Sequence, residues 1–192
     1  MDLVAVNLQG TGGHDRRQEA ILEIALVPMI NWHLQPTLAY RSVVNPQRPV
    51  PRRLWIPLAL TEAVLRAGPS LEQIEPTLAD RINGKFLVGY DLRAKWQLLH
   101  RNCPKLDPAG LIDTLRLARM IDPGHRHDLG SVISRLGLTR TASGLADQVG
   151  PRRTMWDAVA SGLLLGTLAR PVLGPDAGTE ELLAMAGVRA VP

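Results

Sequence analysis

Val4 to Gly12 reads Val-Ala-Val-Asn-Leu-Gln-Gly-Thr-Gly, and this stretch decides the fold. Residues 3–8 are largely apolar on both faces, which is typical of a central strand in a sheet. Asn7 and Gln9 stand at the end of that strand, and a glycine-rich segment follows them. Because α/β folds place their ligands at the carboxyl ends of strands, these two amides are the first candidate site residues.

Periodicity along the rest of the chain predicts further strands and then alternating strands and helices. Residues 20–29 and 33–44 have a mixed apolar pattern that predicts a meander with the first strand. After a proline-rich segment, two strand-to-helix junctions are predicted near residues 86 and 111. The predicted fold is therefore α/β, with a mixed five-stranded sheet (three antiparallel strands, then two parallel) flanked by helices. The predicted helices include residues 60–67, 70–82, 92–102, 129–136, 154–168 and 180–186.

The length and composition of the chain indicate one main domain. With 192 residues and 45% hydrophobic content, the chain is long enough to bury a core. We expect an α/β domain over residues 1–170 and a C-terminal extension with a short helix over residues 171–192. The single cysteine, Cys103, excludes an internal disulfide and favours a reducing, cytoplasmic location. The sequence predicts neither a signal peptide nor a membrane span.

The charge of the chain is compatible with a polyanionic partner. The net charge is +4 and the isoelectric point is about 9.8. In the proline-rich segment, Arg48, Arg52 and Arg53 precede Trp55 in a pattern found in segments that follow a nucleic-acid backbone. A solvated loop is the favoured interpretation of that segment.

Several segments, taken in order, carry a resemblance to a known family. They are residues 22–27 (Leu-Glu-Ile-Ala-Leu-Val), Val44-Asn45-Pro46, residues 60–71 and Ile112-Asp113-Thr114-Leu115, together with the opening strand. Over about residues 3–168 the chain resembles the DnaQ-like, DEDDh-type 3′-to-5′ exonucleases, which have a ribonuclease H-like fold. The resemblance implies two-metal phosphodiester hydrolysis, in which four acidic residues hold two divalent cations and a histidine acts as general base.

The family's catalytic positions are largely replaced in this chain. By the resemblance, the two acids of the first motif correspond to Asn7 and Gln9, and the third acid corresponds to Lys95. The general base corresponds to Arg152, and only Asp157 keeps the family's residue type. Four carboxylates would balance two divalent ions, whereas Asn7, Gln9, Lys95 and Asp157 together carry no net charge. We therefore expect no resident metal ion and no hydrolysis, because arginine does not deprotonate to act as a base.

These residues also have plain structural explanations. Asn7 and Gln9 would then form hydrogen bonds with backbone groups at a strand end. Lys95 and Arg152 would be solvated surface charges if the family's motifs align with other residues of this chain. Asp157 would be an acid in the first turn of a helix, where the helix dipole favours it. Asp91 is expected to cap a helix rather than to bind a ligand.

Three functional hypotheses follow. In the leading one, the chain is a catalytically inactive member of the superfamily that binds nucleic-acid 3′ ends or nucleotides in a metal-free basic cleft. Its expected phosphate or nucleic-acid contacts are Thr11, Tyr90, Lys95 and Arg152. In the second, Asp157 recruits Asp15, Asp91 or Asp113 to hold Mg²⁺ or Mn²⁺, and hydrolysis is real. In the third, the domain is a protein-interaction scaffold whose C-terminal extension docks a protein partner.

Overall fold

In the computed structural model, the chain forms one mixed sheet with helices on both faces. The structure describes residues 2–12, 18–51, 53–149, 153–174 and 178–188. The predicted site residue Arg152, the alternative ligand Asp15 and the basic residue Arg52 lie outside these ranges. The strands of the described ranges are β1 (Leu3–Gly10), β2 (Ile21–Ile30), β3 (His33–Leu34), β4 (Tyr40–Val43), β5 (Phe86–Gly89), β6 (Gly110–Asp113) and β7 (Gly187–Val188).

The sheet combines antiparallel and parallel pairing. The first strand, β1, pairs antiparallel with β2 on one side and parallel with β5 on the other, and β5 pairs parallel with β6. Both β3 and β4 pair with β2, and β7 pairs antiparallel with β6. The predicted α/β class and mixed sheet are confirmed.

The number of strands differs from the prediction for two reasons. The predicted third strand is divided into β3 and β4 by a short 3-10 helix, Pro36–Leu38. Proline has no backbone N–H to donate to a ladder, and its fixed φ suits the first position of a helix. In addition, β7 adds a strand at the β6 edge, so the described sheet has seven strands where five were predicted.

Helices cover both faces of the sheet. One face packs against the longest helix, which carries Met155, Val159 and Leu164 into the same core as Ala5 and Ala25. The other face packs against two earlier helices. The helices are α1 (Glu62–Ala67), α2 (Leu71–Ile82), α3 (Leu92–Asn102), α4 (Thr114–Ile121), α5 (Leu129–Arg135), α6 (Thr139–Asp147), α7 (Arg153–Leu168), α8 (Arg170–Leu173) and α9 (Thr179–Ala186).

The helix α7 lies very close to the sheet because it presents a glycine there. A Cβ added to Gly162 would lie 2.6 Å from the Leu34 side chain and 3.3 Å from the Ala5 Cβ. This close approach brings the first turns of α7 beside the carboxyl end of β1. No helix of the described ranges is long and apolar enough to cross a membrane.

The two parallel strand-to-helix junctions are tied together by one buried carboxylate. Asp113, which is 4% exposed, ends β6. Its Oδ1 accepts from the backbone N–H groups of Asp91 and Leu115 at 3.0 Å each, and its Oδ2 accepts from that of Leu92 at 3.1 Å. One side chain therefore caps both α3 and α4.

The residues around Asp113 complete this junction. Thr114 donates its hydroxyl to the Gly89 carbonyl at 3.1 Å, which joins α4 to the end of β5. Asp91 occupies the expected N-cap position of α3, in the left-handed region at φ 52°, but its side chain makes no capping hydrogen bond. Asp113 takes that role instead.

Replacing Asp113 by alanine is expected to lower the free energy of unfolding by about 2–4 kcal/mol, because it leaves buried N–H groups at two helix starts without an acceptor. Urea denaturation measures the loss. The matched control is Asp128→Ala, which removes an exposed cap from the Ser131 N–H of α5 alone and is expected to cost about 1 kcal/mol. Equal losses in the two variants would contradict the double-capping role.

Candidate functional site

The first and last predicted site residues meet at the carboxyl end of β1. Asn7 is 4% exposed, and its Nδ2 donates to Asp157 Oδ2 at 3.3 Å. Asn7 lies on the face of β1 that α7 covers, and Asp157 lies near the start of α7. The Oδ1 atom of Asn7 is buried without a hydrogen-bond partner among the described residues. Because Asn7 donates a hydrogen bond to Asp157, its amide stabilises the carboxylate, whereas an acidic residue there would add a second negative charge.

Gln9 lies two residues further along the same face of β1 but points its amide elsewhere. Its Nε2 donates to the carbonyl of Gly10 at 2.9 Å. This local bond is of the kind that a polar residue at a strand end forms with neighbouring backbone. The structure thus brings Asn7 and Asp157 into contact and leaves Gln9 at the edge of the site.

Lys95 enters the site from the first turns of α3. The side chain is half-buried, and its Nζ donates to the backbone carbonyl of Tyr90 at 2.5 Å. Burial lowers the pKa of Lys95 from its ordinary value, and the negative charges of Asp157, Asp91 and Asp113 act in the opposite direction. Lys95 makes no ion pair with Asp157 within 4.0 Å, although both residues belong to the described ranges.

Asp157 is the acidic residue at the centre of this group. Burial raises the pKa of its carboxyl group, whereas the charge of Lys95, the charge of Arg153 and the hydrogen bond from Asn7 lower it. The Nε of Arg153 lies 4.0 Å from Asp157 Oδ2, with its own side chain largely exposed. The residue predicted for the cationic role is Arg152, which lies outside the described residues, and no role was predicted for Arg153.

Tyr90 and Thr11 are placed differently from the expected ligand contacts. The ring of Tyr90 is 6% exposed, its hydroxyl donates to the His127 carbonyl at 2.6 Å, and burial raises its pKa to about 12. As placed, Tyr90 contributes to the site through its backbone carbonyl. Thr11 is buried, and its Oγ1 accepts from the Ala20 N–H at 3.0 Å. Thr11 thus joins the end of β1 to Ala20, just before β2.

A buried carboxylate that sequence reasoning did not assign lies beside this group. Glu23 is 1% exposed and stands opposite Gln9 in the β1–β2 ladder. Its Oε1 accepts from Arg41 at 2.9 Å and its Oε2 accepts from the Thr154 hydroxyl at 2.6 Å. It thereby links β2, β4 and α7. The available signal was an acidic residue within an otherwise apolar strand, which requires a buried partner.

The side chains present do not fit a two-metal centre. Among the described residues no group of three His, Cys, Asp or Glu side chains is placed to hold a metal ion. Asp157 contributes one carboxylate, Asn7 directs an N–H toward it, and Lys95 adds a positive charge that would repel a divalent ion. Of the alternative ligands, Asp113 already uses both oxygens on backbone N–H groups, and Asp91 is exposed.

A cavity of about 270 Å³ opens between β1 and α3 next to Lys95. Its wall includes Gly10 and Gly12 from the β1 side, and Glu19 accepts from the Gly12 N–H at 3.2 Å. Lys95 and Arg101 line the α3 side. This volume is adjacent to the carboxyl end of β1, where the fold class places ligands.

Comparison of the sequence with known proteins agrees with this fold. No protein-family model matches the chain. The chain is 24% identical over 147 residues to a DNA polymerase III subunit epsilon-like protein of Rhodobacter capsulatus, covering 72% of the chain and 20% of that protein. It is 25% identical over 146 residues to the DNA polymerase III subunit epsilon of Haemophilus influenzae, covering 72% and 56%. The chain therefore spans about a fifth and just over half of these two relatives.

Solved structures show the same architecture. Exonuclease X, solved in complex with 5′-overhanging duplex DNA, superimposes with a TM-score of 0.70 at 21% identity, covering 96% of this chain and 97% of that one. The nuclease domain of 3′hExo, a DEDDh family member bound to rAMP, gives a TM-score of 0.62 at 10% identity, covering 92% and 94%. The molecule is thus an α/β protein of the ribonuclease H-like class. Its resemblance to the DnaQ-like, DEDDh-type exonuclease superfamily is confirmed.

Replacing Lys95 by methionine is expected to raise the pKa of Asp157 further, because the Lys95 charge is the largest influence that lowers it. A carboxyl group whose pKa is raised by folding binds its proton more readily in the folded state. Stability then falls as pH rises from about 4, the pKa of the unfolded carboxyl group, to the folded pKa. The variant is expected to show a steeper fall over a wider pH range than the wild type.

The carboxyl ¹³C shift of Asp157 and urea unfolding at a series of pH values measure these two effects. Arg153→Met is the matched control, and a smaller rise in the Asp157 pKa is expected there because Arg153 is exposed and 4.0 Å away. An unchanged Asp157 titration in Lys95→Met would contradict the electrostatic coupling.

Proposed function

We propose that this chain binds the 3′ end of a nucleic-acid strand, or a nucleotide, in a metal-free basic cleft, and that it does not hydrolyse phosphodiester bonds. The single observation that carries the proposal is the position of Lys95 beside Asp157, at the end of β1. An ammonium group there supplies positive charge where the resemblance implies a metal ion. It supplies neither a Lewis acid nor an activated water.

Lys95 is suited to contact a phosphate. An ammonium group has three N–H donors, and among the described residues one of them has a partner, the Tyr90 carbonyl. The neighbouring cavity is bordered by the backbone of Gly10 and Gly12 and is large enough for a nucleobase or a sugar. If Lys95 binds a phosphate, the nucleoside attached to that phosphate would lie in the cavity. Charge-assisted hydrogen bonds of this type are among the stronger ones in proteins.

The names of the similar proteins support the nucleic-acid part of the proposal. The sequence relatives are named as epsilon subunits of DNA polymerase III, and Exonuclease X was solved with duplex DNA. The proposed lack of hydrolysis rests on the residues of this chain, since Asn7 and Gln9 are uncharged and, among the described residues, no group of three His, Cys, Asp or Glu side chains is placed to hold a metal ion. Arg152 completes the proposed cationic set from the position that corresponds to the general base, and it is among the residues that the structure does not describe.

Lys95→Met is expected to weaken binding of a short 5′-labelled oligothymidylate by about 10- to 100-fold, the value of one hydrogen bond to a charged group. The slope of log affinity against log salt is expected to fall by about 0.7, because one phosphate contact on a single strand is lost. Fluorescence anisotropy with the wild type, with and without EDTA, gives the reference values. We expect wild-type binding to be independent of the chelator and no nucleotide to be released.

The matched control is Lys105→Met, which removes an exposed lysine outside the cleft and is expected to leave affinity unchanged. Chelator-sensitive binding, or nucleotide release that Asp157→Ala abolishes, would overturn the proposal in favour of the hydrolytic alternative. No binding of DNA, RNA or nucleotides at moderate salt would overturn it in favour of the protein-interaction scaffold.

A second prediction tests the charge balance itself. The double variant Asn7→Asp, Lys95→Asp would set a new carboxylate at hydrogen-bonding distance from Asp157 and remove the repelling ammonium. We expect this variant to bind Mn²⁺ measurably in calorimetry and to gain thermal stability with it, since a ligand that binds the folded state stabilises it. The wild type is expected to show neither effect.

The single variant Asn7→Asp, which keeps Lys95, is the control for this experiment. Its affinity for Mn²⁺ is expected to be weaker than that of the double variant because the positive charge remains. Binding of Mn²⁺ by the wild type as tight as that by the double variant would show that charge does not exclude the metal.

A further inference from the structure

Trp55 combines exposure with a fixed position. The residue is 55% exposed, yet its indole Nε1 donates to the Thr11 carbonyl at 3.0 Å. The indole also lies against the backbone of Gly12, where an added Cβ would be 2.7 Å from Nε1. Large aromatic side chains are usually highly buried, and a tryptophan that is held rigidly while exposed offers a flat apolar surface at low entropic cost.

The position of Trp55 connects it to the cleft. Gly12, which contacts the indole, also lines the cavity beside Lys95. The backbone of Gly12 has φ +59°, a conformation that glycine adopts without strain. Residues other than glycine at this position would displace the indole. Trp55 therefore stands at the rim of the cavity and is separated from its interior by one glycine.

The surroundings of Trp55 are positively charged. The guanidinium carbon of Arg53 lies 5.2 Å from the centre of the Trp55 ring, and Arg53 is itself exposed. Arg48 belongs to the same segment and donates to the Gln18 carbonyl. The guanidinium lies over the ring, and the exposed part of the ring together with this cation matches the two parts of a nucleotide, because a base stacks on the ring and a phosphate meets the cation.

We propose that Trp55 is a stacking platform for an unpaired base, in a strand whose adjacent nucleotide occupies the cavity beside Lys95, and that Arg53 meets the intervening or neighbouring phosphate. This inference rests on the proposed function and extends it from one nucleotide to at least two. It also selects single-stranded ends over blunt duplex, because in a duplex the base next to the terminal one is stacked on both faces and cannot stack on Trp55.

Exposed leucines close to Trp55 in the sequence supply the test's control. Leu54 and Leu58 are 103% and 80% exposed, so a protein-docking surface at this segment would include them along with the tryptophan. A stacking platform would depend on Trp55 and not on Leu58. The two kinds of partner therefore predict different results for the same pair of substitutions.

The experiment measures the affinity of the full chain for a mononucleotide and for an oligothymidylate. Trp55→Ala is expected to weaken oligothymidylate binding by about tenfold, the usual effect of one base–aromatic stack, and to leave mononucleotide binding unchanged. Trp55→Phe is expected to retain most of the affinity because it keeps an aromatic face. Leu58→Ala is expected to bind as the wild type does.

Tryptophan fluorescence gives a second readout. The chain has four tryptophans, and Trp55 is the one that the structure shows as exposed, whereas Trp32, Trp96 and Trp156 are buried or half-buried. Quenching by the oligothymidylate is expected in the wild type and is expected to be largely absent in Trp55→Phe. Circular dichroism and thermal unfolding check that each variant is folded.

The possible results distinguish the stacking role of Trp55 from the proposed binding in the cleft. The stacking role would be overturned, and the cleft proposal left intact, if the folded variants Trp55→Ala and Trp55→Phe bound the oligothymidylate as tightly as the wild type and showed the same fluorescence quenching. Equal losses in Trp55→Ala and Leu58→Ala would overturn it in favour of a general apolar surface for a protein partner. Failure of the wild type to bind either ligand would overturn both the stacking role and the proposed function.

Discussion

The carboxylate of Asp113 is the interaction on which the geometry of the cleft depends. It accepts three backbone N–H groups at the two parallel strand-to-helix junctions, and it therefore sets where α3 begins relative to β5 and β6. Lys95 is in the first turns of α3, so its Nζ reaches the Tyr90 carbonyl only when the helix starts at Leu92. Burial raises the pKa of Asp113, and the hydrogen bonds from the backbone lower it. The three N–H donors thus offset part of the cost of burying this carboxylate.

The sequence predicted the parts of the structure whose signals are local and strong. The apolar opening strand, the helix predicted over residues 70–82 and the alternating segments near residues 86 and 111 all appear as expected. The helix α6 was missed because its segment is rich in threonine, serine and glycine, and its helical state depends on burial of Ala142 and Ala146. The strand β7 has two residues, which is too short for any periodicity, and it exists through pairing with β6.

The candidate site could be predicted in its members but not in its contacts. The correspondence of motifs identified Asn7, Lys95 and Asp157, and the structure places them at one end of the sheet. The motifs could not show that Tyr90 turns its ring into the core, because a tyrosine after an apolar strand is compatible with either direction. Glu23 was missed for a related reason: its partners, Arg41 and Thr154, come from two other elements and cannot be read from spacing.

Compensation of charge within the site links the proposed function to the stability of the cleft. Several carboxylates held within a few ångströms repel one another strongly when they are partly buried, so a site of that kind is stabilised by bound cations or by protonation. Here the half-buried carboxylate of Asp157 is accompanied by an amide that donates to it and by the positive charges of Lys95 and Arg153. The group is compensated by its own side chains. A cleft of this composition can therefore persist without divalent ions and attract an anionic ligand, which is the physical condition that the proposed binding of a phosphate without cleavage requires.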